Sequence, residues 1–84
     1  MKIVWDERKR QGNIAKHGLD FADLSLDFFL TARVWPAVRG RFLAVGELDG
    51  RPIVAVVFRP LGTEALAMIS MRHASRKERS RTDD

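Results

Sequence analysis

Lys9, Asn13 and His17 stand four residues apart, a spacing that lines them up along one stripe of an α-helix, with Lys16 beside it. An ammonium and an amide on such a stripe can hold phosphates. An imidazole, with an ordinary pKa near neutrality, can move a proton. A second group lies near the other end of the chain. Arg72 falls close to the end of the last expected strand, where a guanidinium can grip a phosphate through two parallel hydrogen bonds; His73 follows it and Glu78 lies six residues on. Arg76, Lys77, Arg79 and Arg81 extend the positive surface and would attract a nucleic acid in a salt-dependent way, without regard to sequence. Each residue also has a plainer reading. Lys9, Lys16 and the basic run can be solvated surface, Asn13 can bond a neighbouring loop, and His17 can cap the negative end of its helix. Glu78 can pair with Arg76 or Arg81 within a helix, and it can equally act as a base.

The chain that must position these groups has 84 residues, 45% of them hydrophobic and 31% charged, which fits one globular domain spanning 1–84 with a frayed tail over about 81–84. A net charge of +4 and a pI near 10.3 favour a polyanionic partner. With no cysteine, no H-E-x-x-H and two histidines far apart, no metal site or other cofactor is called for. The opening residues hold no signal-peptide apolar stretch. The longest apolar run, 53–58, is far too short to span a membrane, so the expected location is the cytoplasm.

The elements follow from local signals. Lys2 to Trp5 alternates as a short strand. Asp6 is placed as an N-cap and Gly18 as the left-handed residue past a helix over 7–17. A second helix, capped by Asp20 and ending near Leu30, carries Phe21, Leu24 and Phe28 on one face. Trp5, next to a helix cap, is expected in the core, although Trp5 and Trp35 are also residues on which bases could stack. Ala32 to Ala37 reads as a short strand that Pro36 demotes to an edge or to an irregular segment. Strands over 41–48 and 51–59 flank the Asp49-Gly50 hairpin turn, and a looser turn at 60–63 leads into a strand over 64–73. Ser75 caps a short basic helix. The expected fold is therefore α+β: two N-terminal helices, an antiparallel meander of three to four strands, and a short C-terminal helix.

Pairing Leu48 with Arg51 across the hairpin puts Leu43, Val45, Val54, Val56 and Phe58 on one face and Phe42, Ala44, Ile53, Ala55 and Val57 on the other. Both faces are apolar, and a sheet of that kind calls for a partner or its own twin. Pairing Arg59 with Glu64 across the next turn sets Arg51 beside Arg72. That pair of like charges costs energy unless an anion lies between them. On this register Arg51 and Arg72 would flank a phosphate.

The stretch "WDERKRQGNIAKHGLDF" resembles the N-terminal signature of the BrnT family of type II toxins, with Trp5, Asp6, Lys9, Asn13, Lys16, His17, Gly18 and Phe21 in place. "GRFLAVGELDGRPIVAVVF" is similar to the family's central hairpin. "ISMRHASRKER" is similar to its ending, matched by Ile69, Ser70, Arg72, Ala74, Glu78 and Arg79. The resemblance implies a RelE-like fold and RNA cleavage that inhibits translation. It also implies neutralisation by an antitoxin with a ribbon-helix-helix DNA-binding domain in a 2:2 complex, with operator DNA reached only through that antitoxin. The resemblance together with the residue chemistry above points to Arg72, Lys9, His17 and Glu78 for catalysis and to Arg51, Lys16, Asn13, Arg76, Lys77 and Arg79 for RNA binding. Relatives often carry an aromatic residue, commonly tyrosine, after the final Glu-Arg; here Ser80 and Arg81 follow, and the chain has no tyrosine. A non-catalytic nucleic-acid- or protein-binding module is the alternative.

Overall fold

Asp6 turns the chain from strand to helix. Its extended backbone leaves the carboxylate free to accept from the amides of Arg8 and Lys9, at 2.8 and 3.3 Å, which satisfies two of the unpaired donors at a helix start. In the computed structural model, which describes residues 1–50 and 53–82, β1 (Lys2–Val4) leads through this cap into α1 (Glu7–His17). Gly18 ends α1 at φ 71°, where a side chain would be strained, and its amide returns to the Ile14 carbonyl. The chain continues through a 3-10 turn (Phe21–Asp23), α2 (Leu26–Thr31), β2 (Arg33–Pro36), a second 3-10 turn (Val38–Gly40), β3 (Phe42–Glu47), β4 (Ile53–Leu61), β5 (Ala65–His73) and α3 (Arg76–Thr82).

The five strands form one sheet in the order β1-β5-β4-β3-β2. β1 runs parallel to β5 and the other pairs are antiparallel, so the sheet is mixed and larger than the expected three- to four-stranded meander. β2, with Pro36, is an edge strand. The second N-terminal helix is also corrected. Leu24 and Ser25 are extended, which splits it into a 3-10 turn and the six-residue α2. This break lets Phe21 and Phe28 both enter the core, where Leu24 joins them.

Both predicted registers are shifted. Val45 pairs with Ala55, not Val54, because β3 and β4 close at Glu47↔Ile53 around a five-residue connection. One step of slip moves every side chain of a strand to the other face. The core face is therefore Phe42, Ala44, Val54, Val56 and Phe58, completed by Leu66, Met68 and Met71 of β5 and packed against Phe21, Leu24 and Phe28. A bulge makes Ile69 the extra residue opposite Val57 and Phe58, which is why Met68 and Met71, three apart, both reach the core. On the second turn, Gly62 at φ 60° allows Leu61 and Ala65 to pair, so Arg59 faces Ala67 and Arg72 faces Ala55. The proposed Arg51–Arg72 juxtaposition does not occur at Arg72's position; Arg51 itself lies outside the described residues.

The sheet's second face carries Val45 and Ala55, both buried. α3 lies against β3, although the helix itself has no buried residue. It is held by polar contacts, described below. Gly46 allows the C-terminal end of α2 to approach β3: a Cβ there would lie 3.1 Å from that of Ala32.

Candidate active site

The charge of α1 divides into three uses. Arg10 is structural. Its Nη1 pairs with Glu7 at 2.7 Å, and its Nε and Nη2 donate to both oxygens of Asp20, at 2.7 and 2.9 Å, bracing α1 against the following turn. That guanidinium holds the Asp20 carboxyl below its ordinary range. Asn13 is structural too. It is buried, its Nδ2 donates to the carbonyls of Leu19 and Met71, and its Oδ1 accepts from the Met71 amide at 3.0 Å. The amide is engaged by Leu19 and by Met71 of β5, so the middle of the expected Lys9–Asn13–His17 stripe faces the protein. His17 is half-buried in the last turn of α1, while Lys16 is exposed beside it.

Arg72 and Glu78 come together. Nη1 and Nη2 donate to the two carboxylate oxygens at 2.7 and 2.8 Å, a bidentate pair between β5 and α3. Glu78 thus pairs with Arg72 and not with Arg76 or Arg81. Ser75 and Glu78 also form a capping box, the Ser75 amide donating to Glu78 Oε1 and the Glu78 amide to Ser75 Oγ. The Arg72 guanidinium, chiefly, and the cap hold the Glu78 carboxyl at about 2. The helix has a second anchor, Arg81, whose guanidinium carbon stands 4.3 Å from the Trp35 ring centre. Arg76, Lys77 and Arg79 project from α3 as exposed cations, and His73 is exposed at the end of β5.

Lys9 is different. It lines a cleft of about 210 Å³ with Val4, Trp5, Asp6, Arg41, Arg59, Leu61, Ala67, Met68 and Ile69. Three cations therefore share a cavity whose described lining has one carboxylate, Asp6, already engaged as the helix cap. Among the described residues, none of the three has an ion-pair partner. Arg59 Nη2 makes one long bond, 3.4 Å, to the Arg39 carbonyl, and Arg41 Nε is buried with no hydrogen-bond partner. Trp5 forms part of one wall, its ring tilted against Phe21 with 6.3 Å between centroids.

Arg72 does not line this cleft. It faces Ala55, four residues along β4 from Arg59, so roughly 13 Å separates the two positions at the rise of an extended strand. Arg41 and Arg59 were not singled out from the sequence. The signal was present, since both are arginines flanking the central hairpin, but only the correct β3–β4 register brings them together. Among the described residues, no three His, Cys, Asp or Glu side chains are grouped so as to hold a metal ion, and no helix is long and apolar enough to cross a membrane.

Comparison with known proteins matches residues 5–78 to the family described as "Ribonuclease toxin, BrnT, of type II toxin-antitoxin system". Among solved structures the chain is similar to the Brucella abortus ribonuclease toxin BrnT, known from a 1.1 Å crystal structure. The two are 62% identical, with a TM-score of 0.87 over 90% of this chain and 99% of that one. A search of curated proteins finds no match. The matched segment runs from Trp5 in the cleft wall to Glu78 in the α3 brace, and the chain belongs to the BrnT family of type II toxin–antitoxin ribonuclease toxins.

Proposed function

We propose that the chain is an endoribonuclease toxin that cleaves RNA without a metal ion and so inhibits translation in the cytoplasm. The reaction is transesterification. The 2′-oxygen bonds to phosphorus while the bond to the 5′-oxygen breaks; the 2′-hydroxyl loses its proton and the 5′-oxygen gains one, leaving a 2′,3′-cyclic phosphate and a 5′-hydroxyl. Charge accumulates on the phosphoryl oxygens in between, and cations gathered in one cleft are the means of stabilising it.

The observation that carries this reading is the cleft in which Lys9, Arg41 and Arg59 stand against a single engaged carboxylate. Of the residues expected to do chemistry, Lys9 is the one with a place there. Lys16, Arg76, Lys77 and Arg79 supply long-range attraction to RNA. His17 lies in the last turn of α1, Asn13 ties α1 to β5, and Arg72 with Glu78 positions α3. The partner is an antitoxin with a ribbon-helix-helix domain in a 2:2 complex, through which operator DNA is reached.

Incubating the purified chain with RNA tests the proposal. Cleavage that continues in EDTA, with cyclic phosphate ends, supports it. RNA bound tightly but left intact would make the chain a binding module.

A further inference from the structure

We infer that Arg41 and Arg59 form a cross-strand fork that, with Lys9, grips one phosphodiester group of the RNA. This deepens the ribonuclease reading and rests on it for the identity of the ligand. The starting point is the ladder. Phe42 pairs with Phe58 and Leu43 with Val57, so the same register carried one residue outward sets Arg41 directly across from Arg59. Alternation along β4 puts Arg59 on the face of Val57 and Ala55, opposite the core face of Val56 and Phe58. Two like charges placed opposite each other on one sheet face repel unless an anion lies between them.

The remaining observations point to that anion. Neither arginine has a carboxylate partner among the described residues, unlike Arg10 and Arg72, which are both paired with carboxylates. Arg41 Nε is buried without an acceptor, and leaving such a charged donor unpaired is costly. α1 brings Lys9 to the same cavity. A guanidinium pair binds two edges of a phosphodiester and an ammonium a third, which suits a group whose charge rises during reaction better than a carboxylate or a neutral ligand. Trp5 and Ile69 supply apolar wall beside the cations, against which a neighbouring sugar or base can lie.

Arg41→Gln and Arg59→Gln, with a 2′-deoxy dinucleotide monophosphate as the uncleavable probe, test the fork in the full chain. Each substitution should lower the single-turnover rate of RNA cleavage by about 100-fold or more, the loss typical of one charge-stabilising donor. Each should weaken probe binding while the melting curve remains that of a folded protein. In the unsubstituted chain, the probe should shift the Arg41 Nε–H resonance, a readout that does not depend on any variant folding. Wild-type rates and probe affinity in both variants, or a probe that leaves Arg41 Nε–H unmoved, would overturn the fork. A chain that binds the probe at Arg41 but cuts no RNA would leave the fork standing and remove the ribonuclease reading instead.

Discussion

Glu78→Gln isolates the charge that fastens α3 to the sheet. Glutamine can still complete the capping box with Ser75, so what disappears is the bidentate ion pair with Arg72. The Glu78 carboxyl sits at about 2 against an ordinary 4.5, a drop of about 2.5 on the pH scale. At ~1.4 kcal/mol for each, this sets a ceiling of about 3 kcal/mol. The Arg72 side chain is 37% exposed and the Glu78 side chain 14%, so solvent screens the pair and about half of that ceiling, about 1–2 kcal/mol, is the expected loss. For a domain of this size that lowers Tm by about 10 °C. Because the folded carboxyl is depressed, its contribution is complete above about pH 4.5 and is lost as pH falls through about 2. Thermal melts of both proteins from pH 7 to pH 2 should therefore show a gap that closes below pH 4.5. Equal stability at pH 7, or a gap unchanged at pH 2, would refute the electrostatic account of the brace.

Asn13→Ala should destabilise the fold by about 3 kcal/mol in denaturant titration, since it orphans the Met71 amide in the interior along with two carbonyls. Phe21→Ala, at a fully buried position, should cost about 3–5 kcal/mol in the same assay. Gly46→Ala should lower Tm, by about 1–3 kcal/mol of stability, because its Cβ meets Ala32 at 3.1 Å where α2 closes on β3. Neutralising Arg76, Lys77 and Arg79 together should weaken binding of uncleavable RNA without changing its sequence preference. The slope of log affinity against log salt should fall by up to about 2, at ~0.7 per lost phosphate contact.

Local chemistry was legible in the sequence. The Asp6 cap, the left-handed Gly18, the Ser75-led final helix and the edge strand at Pro36 all depend on neighbours within four residues, and all are found. What was hidden lies in long-range pairing. Nothing near Glu78 announces that its partner is Arg72 and not the helical Arg76 or Arg81, and nothing near Asn13 announces Met71. β1's parallel place beside β5 is equally non-local. The hairpin residues Asp49 and Gly50 both have positive φ, as a tight turn requires, yet the strands close at Glu47↔Ile53 and not at Leu48–Arg51. That single step decides whether Phe42 pairs with Val57 or with Phe58, and so which β4 residue the ladder, carried one residue beyond β3, sets across from Arg41. The cationic cleft was thus written in residues that the sequence displays, but in a register that local turn chemistry did not determine.

The most direct test of the account is a crystal structure of the chain with an uncleavable 2′-deoxy oligonucleotide spanning the cut site. The phosphate at the cut should lie within hydrogen-bond distance of Arg41 Nε and Arg59, with Lys9 beside it and the Arg72–Glu78 pair intact. A cut-site phosphate held instead by an Arg72 released from Glu78, with the Lys9 cleft empty, would contradict it.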